Sequence, residues 1–189
     1  GAVDPAFRGL WIVATKGLEE GTGLSMREVL RDVRGADCGP VVVFAGPSLA
    51  REVAAELPAA ILAASEDDAA AQRVQALFAT ERLRVYTSPD PRGVEIATAL
   101  KNVVALASGI VDGLGLGQNT RGALLTRGLA EIQRLGVAMG ARPETFLGLA
   151  GVGDLVTTCT SPLSRNHTLG EALGRGERLE AALDRIGMV

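Results

Sequence analysis

Residues 83–110 read LRVYTSPDPRGVEIATALKNVVALASGI, and the change of period inside that stretch decides the fold. Its first five residues are rich in the β-branched and aromatic types that strands prefer. Ser88-Pro-Asp-Pro91 then forms a turn cluster that a helix cannot run through. From Gly93 onward apolar residues recur at helical spacing and the strand signals end. Upstream, three more short apolar runs, 10–15 (LWIVAT), 41–45 (VVVFA) and 60–64 (AILAA), predict strands. The last two are continuous rather than alternating, as parallel strands covered on both faces are. Helix-like segments over 25–33, 48–56 and 65–78 lie between them, the last opened by Ser65-Glu-Asp-Asp68 in the manner of a capping box. The expectation is α/β and then all-α: part of a Rossmann-like parallel sheet over residues 1–90, followed by a helical domain over 91–189 with helices at 93–110, 119–139, 143–149 and 168–173.

The chain has 189 residues, enough for a sizeable core, with 47% apolar and 22% charged residues, so it is not intrinsically disordered. A net charge of -3 gives no global positive field for nucleic acid or an anionic membrane, so any anion must be held locally. Only Cys38 and Cys159 could form a disulfide, which fits a reducing compartment and reads as cytoplasmic. The most apolar stretch, 94–111, is broken by Glu95, Lys101 and Asn102, so neither a membrane span nor a signal peptide is expected. The opening Gly1-Ala-Val-Asp4 and the ending Gly187-Met-Val189 predict a piece of a longer protein.

One His and two distant Cys cannot build a nitrogen and sulfur metal cage. There is no G-x-S-x-G elbow for a serine hydrolase, and His167 reads as a partly exposed polar residue. Gly113-Leu-Gly-Leu-Gly117 fails the G-x-G-x-x-G test and reads as a flexible connection between helices.

Lys101 has no carboxylate within a helical turn to pair with. If buried, its amine loses proton affinity and becomes suited to acid/base work; alternatively its head snorkels to solvent. Lys16 follows the first strand at the sheet edge where ligands of open α/β sheets bind, or is a surface lysine. Gly46-Pro-Ser48 follows the second strand, so Ser48 either caps the next helix or offers its hydroxyl to a ligand oxygen. Asp154, in the apolar Gly151-Val-Gly-Asp-Leu155, needs a partner, and a lysine head could be one. Ser164-Arg165-Asn166, before a helix expected near Thr168, is either a plain cap with a solvated Arg or a cation at a helix start that suits phosphate.

Six ordered blocks resemble the bacterial-type NAD(P)-dependent glycerol-3-phosphate dehydrogenases. They are Ala14-Thr-Lys-Gly-Leu-Glu19, Gly46-Pro-Ser-Leu-Ala50, Ala99-Leu-Lys-Asn-Val103, Gly109-Ile-Val-Asp-Gly-Leu-Gly115, Asn119-Thr-Arg121, and the run from Gly151-Val-Gly-Asp-Leu155 to Ser164-Arg-Asn166. Related hydroxyacid dehydrogenases space the catalytic Lys and its Asn four residues apart; adjacent Lys101 and Asn102 favour the glycerol-phosphate branch. The resemblance implies a Rossmann domain, whose first glycine-rich βαβ unit would precede Gly1, and a helical substrate domain.

It also implies NAD or NADP as cofactor, a small phosphorylated substrate, a homodimer, and a role feeding glycerophospholipid synthesis. By the same resemblance Lys101 is the general acid/base, and Lys16, Gly46, Ser48, Asp154, Ser164, Arg165 and Asn166 bind substrate. Asn102 orients the carbonyl. Lys16, Ala50, Arg165 and Val189 lie at the cofactor. Gln118 departs from the family's usual Asp. An inactive helical association module and a related hydroxyacid dehydrogenase remain the other two readings.

Overall fold

The computed structural model describes residues 7–35 and 38–187; Val189, expected at the cofactor, lies outside them. Strands β1 (Trp11–Val13), β2 (Val41–Ala45), β3 (Ala59–Ala64) and β4 (Leu83–Ser88) form one sheet in sequence order. Helices α1 (Met26–Arg34), α2 (Ala50–Ala54) and α3 (Asp68–Phe78) alternate with them. No strand follows Ser88 among the described residues. The second half comprises α4 (Pro91–Gly113), α5 (Gly117–Ala138), a 3₁₀ turn (Pro143–Leu147), a π turn (Leu149–Gly153), α6 (Asp154–Thr160), α7 (Arg165–Gly174) and α8 (Leu179–Ile186). The α/β-then-α order therefore stands.

The sheet is mixed rather than wholly parallel. β1 and β2 are parallel, as are β3 and β4, but β2 and β3 run antiparallel, with Val43 opposite Ala64. The cause lies between them: the helix expected over 48–56 shrinks to the five residues of α2, too short to carry the chain back along the sheet as a parallel crossover needs. Side chains alternate across β2. Val42 and Phe44 pack with Ile61, Val74 and Val85 on the α3 side, while Val43 and Ala45 pack with Val94, Ala97 and Phe146 on the α4 side. Both faces are thus covered, which explains the unbroken apolar strand sequences.

Local caps fix the helix starts. Ser25 and Glu28 make the reciprocal capping box of α1. α3 is capped by Asp67 rather than Ser65, whose hydroxyl instead donates to the Val41 carbonyl at 2.8 Å. Asp90 caps α4 through the Gly93 N–H, with Pro91 in the first turn, and its other oxygen accepts from Arg142 N and Thr145 Oγ1. The Ser88–Pro91 cluster thereby pins the junction of the two halves.

By length and composition α4 could cross a membrane, yet 56% of its apolar window is buried inside the protein. It is the central helix, with α5, α6 and α7 packed around it. The glycine run joins α4 to α5, the connection between helices that was expected, and Gly115 (φ 68°) and Gly117 (φ 80°) give it the left-handed backbone that other residues resist.

Candidate functional site

Three distant segments bring their polar heads to one place. Lys101 lies in the middle of α4 and is only 5% exposed. Its Nζ donates to Asp154 Oδ1 at 2.5 Å and to Thr158 Oγ1 at 2.6 Å. Lys16 Nζ donates to the other carboxylate oxygen, Oδ2, at 3.0 Å. One buried carboxylate therefore bridges two amines. The amine does not snorkel, and Asp154 takes a second lysine besides the one expected.

The backbone explains how these groups meet. After β1, residues 16–25 fold back on themselves through a Leu18–Ser25 bridge and a Glu19 N–H bond to the Leu24 carbonyl, which fixes Lys16 at the base of a loop. Asp154 opens α6 directly after the π turn. A side chain at Gly151 would lie 1.9 Å from the Phe146 carbonyl oxygen, so only glycine lets the turn pack this tightly. Asp154 is 2% exposed as a result. Thr158, one turn further along α6, shares its face. The sequence reading missed it, although its i+4 spacing from Asp154 was a usable signal.

Burial pulls the Lys101 amine down from 10.5 to about 8; Asp154 opposes that fall and Lys16 adds to it. Burial pushes the neighbouring Cys159 thiol up to about 12, so it is a packed, protonated group rather than a nucleophile. Cys38 and Cys159 are both free.

A second group lies in a cleft of about 610 Å³ between α2 and α7, lined by Ser48, Ala50, Arg51, Arg165 and Arg185 among others. Arg165 makes no ion pair among the described residues, whereas Arg185 is paired with Glu177. Ser48 does not cap α2; its hydroxyl donates weakly to the Gly46 carbonyl at 3.3 Å, and α2 has no side-chain cap. Gly46 is buried with φ 153° where a side chain would press on the Ile61 backbone at 3.2 Å. The two groups adjoin: a side chain at Gly153 would stand 3.6 Å from Pro47 Cγ.

α7 begins at Arg165, three residues earlier than expected. Ser164 is its N-cap, accepting from the His167 N–H at 3.3 Å, and Arg165 and Asn166 are its first residues. Asn102 and Asn166 are half-buried. His167 is not partly exposed but buried, at 6%, with Nε2 2.9 Å from Asp112 Oδ2.

Residues 90–189 match the family described as NAD-dependent glycerol-3-phosphate dehydrogenase, C-terminus, and residues 6–71 match its N-terminus counterpart. A relative from Geobacter sulfurreducens, named glycerol-3-phosphate dehydrogenase [NAD(P)+], is 56% identical over 177 residues, which is 93% of this chain and 53% of the relative. One of the same name from Streptomyces coelicolor is 55% identical over 165 residues, 87% of this chain and 49% of its own length. The chain thus spans about half the length of these relatives. The crystal structure of glycerol-3-phosphate dehydrogenase from Coxiella burnetii superposes with a TM-score of 0.85 at 44% identity, over 94% of this chain and 54% of that one. The Saccharomyces cerevisiae enzyme gives 0.81 at 30% identity, covering 100% of this chain and 56% of the yeast one. With both halves matched and close relatives covering almost all of it, the chain belongs to the NAD-dependent glycerol-3-phosphate dehydrogenase family.

Proposed function

We propose that the chain carries the proton-transfer and substrate-binding parts of an oxidoreductase that interconverts sn-glycerol 3-phosphate and dihydroxyacetone phosphate with NAD or NADP. The observation that carries this reading is the buried Lys101–Asp154 pair, joined from the solvent side by the exposed Lys16, which holds an amine of lowered proton affinity beside a guanidinium-lined cleft. Residues 1–90 serve as part of the nucleotide-binding domain and 91–189 as the helical substrate domain.

The cleft's donor set suits a phosphorylated cofactor: Ser48, Ala50, Arg51 and Arg165 line it, and its guanidinium groups match phosphate oxygens. When bound, NAD(P) supplies the hydride acceptor at C2. Arg165, Asn166 and Ser164 hold the substrate phosphate at the start of α7, which uses binding energy remote from C2 to orient the reacting carbon.

In the oxidising direction neutral Lys101 takes the C2 hydroxyl proton as hydride leaves the same carbon; in reverse, the ammonium returns it. Asp154 makes this exchange tolerable inside the protein. With both amines protonated the cluster carries one positive charge, and after Lys101 gives up its proton the Lys16–Asp154 pair is left neutral. Asn102 and Lys16 orient and polarise the C2 oxygen, offsetting negative charge that develops there on reduction.

The cell context follows from the resemblance: a cytoplasmic homodimer supplying glycerol 3-phosphate for glycerophospholipid synthesis. Two buried, unpaired cysteines support a reducing compartment.

In a full-length protein containing this chain, Lys101→Ala should lower kcat by ~10²–10⁴ with modest change in KM, the range for loss of a general acid/base. Unaltered turnover in that variant would exclude the assignment.

A further inference from the structure

Glycines at 109 and 113 on α4 face glycines at 170 and 174 on α7, and the two backbones touch. A side chain at Gly109 would stand 2.0 Å from the His167 carbonyl oxygen, and one at Gly170 2.0 Å from that of Leu106. At Gly113 the obstruction is the Glu171 carbonyl oxygen, at 2.3 Å, and at Gly174 that of Ile110, at 2.6 Å. Beside this seam, Asp112 Oδ2 accepts from Arg121 Nη1 of α5 at 2.7 Å and meets His167 Nε2 of α7 at 2.9 Å. Gln118, the departure from the family pattern, accepts from the other Arg121 nitrogen, Nη2. His167 Nδ1 is buried with no hydrogen-bond partner, so the ring is held by Nε2 alone. Next to a carboxylate, that nitrogen carries the proton and donates it.

We propose that Asp112, acting through His167 and steadied by Arg121, is the positioning residue for the phosphate-holding first turn of α7; this rests on the reading that Arg165 and Asn166 bind the substrate phosphate. His167 directly follows those two residues, so its ring sets how the turn is rotated about the helix axis. The glycine seam fixes how far α7 stands from α4, and Asp112 fixes its rotation. Lys101 lies on the same α4, eleven residues before Asp112, or about 16 Å along the axis. One helix thereby carries both the amine that works at C2 and the anchor of the phosphate end. Its length sets the reach between the two, which makes the pair a determinant of substrate size.

The test uses a full-length protein containing this chain. Asp112→Asn and His167→Leu are each expected to raise KM for glycerol 3-phosphate about tenfold, the usual consequence of losing a charge-assisted hydrogen bond, and to raise the inhibition constant of inorganic phosphate in parallel, while kcat stays within about twofold. His167→Gln, whose amide can still donate to Asp112, is expected to stay near the wild-type KM. A lowered melting temperature with unchanged KM and unchanged phosphate inhibition in Asp112→Asn and His167→Leu would overturn the proposal, as would a loss confined to kcat. Should Asp112→Asn fail to fold, the two His167 variants decide alone. A wild-type protein that does not oxidise glycerol 3-phosphate refutes the proposed function instead, and calorimetric binding of inorganic phosphate to the same variants then decides the positioning role.

Discussion

Lys101 owes its chemistry to two opposed effects at a single nitrogen. Removal from water favours the neutral amine, and Asp154 at 2.5 Å favours the ammonium; the first wins, leaving the group at about 8. In the role proposed for Lys101, oxidation of the alcohol needs the neutral form, so kcat/KM in that direction should rise with pH through about 8 and level off above it. Carbonyl reduction needs the ammonium and should fall over the same range. The linkage to stability has the matching sign. Between about 8 and 10.5 the unfolded chain binds the proton and the folded one does not, so stability rises with pH there; that gain is complete above 10.5 and lost as pH falls through about 8. Asp154→Asn removes the attraction and leaves the repulsion from Lys16, so the midpoint of the oxidative profile should move to lower pH. It should also destabilise the fold by about 3–5 kcal/mol, the cost of stripping a buried charge of its partner. Paired pH–rate profiles of the two proteins check this, and an unmoved midpoint would show that Asp154 does not set the proton affinity of Lys101.

Between elements, the α4–α7 seam is the tightest contact that the described glycines make between two α-helices, and it rests on backbone rather than side chains. No rotamer change can relieve an added methyl group that meets a carbonyl oxygen, so Gly109→Ala must push the helices apart. A loss of about 1–3 kcal/mol or more in urea unfolding is expected, as for other overpacked interiors. Gly122, on the exposed face of α5 with nothing within 4 Å of a built side chain, is the contrast. Gly122→Ala should be neutral or stabilise by up to about 1 kcal/mol, because only helix propensity changes. Equal destabilisation by both would mean that the seam is not under steric control. Local sequence showed that Asp154 needed a partner and that Lys101 lacked one nearby. It could not show that they meet, since 53 residues separate them and 138 separate Asp154 from Lys16. The burial of His167 was hidden in the same way, because its partner Asp112 lies 55 residues back.

Across the whole molecule, the division into an α/β half and a helical half was legible because period 2 gives way to period 3.6 inside residues 83–110. Strand direction was not. A strand buried on both faces reads as the same apolar run whichever way it points, so the antiparallel β2–β3 pairing left no mark in VVVFA or AILAA. What the assembled halves contain, and what the sequence does not contain, bears on activity. The amine cluster and the arginine-lined cleft hold the groups proposed above for acid/base work and phosphate binding, yet no G-x-G-x-x-G turn occurs anywhere in the 189 residues to cradle a pyrophosphate. β1 stands at one edge of the sheet, paired among the described residues only with β2. Beside it Trp11, Ile12 and Val13 line an apolar groove of about 380 Å³ with Met26, Val29 and Leu30. A sheet that lacks a phosphate-binding turn offers the dinucleotide only part of its contacts, and a hydride acceptor that is not held near C2 loses the effective concentration on which transfer depends. The purified 189-residue chain, mixed with NADH and dihydroxyacetone phosphate, is therefore expected to leave the NADH absorbance unchanged, while a full-length protein containing it consumes the cofactor. Steady turnover by the chain alone would mean that the donors around Ser48 and Arg165 suffice to hold the dinucleotide, and that a glycine-rich turn is dispensable for this chemistry.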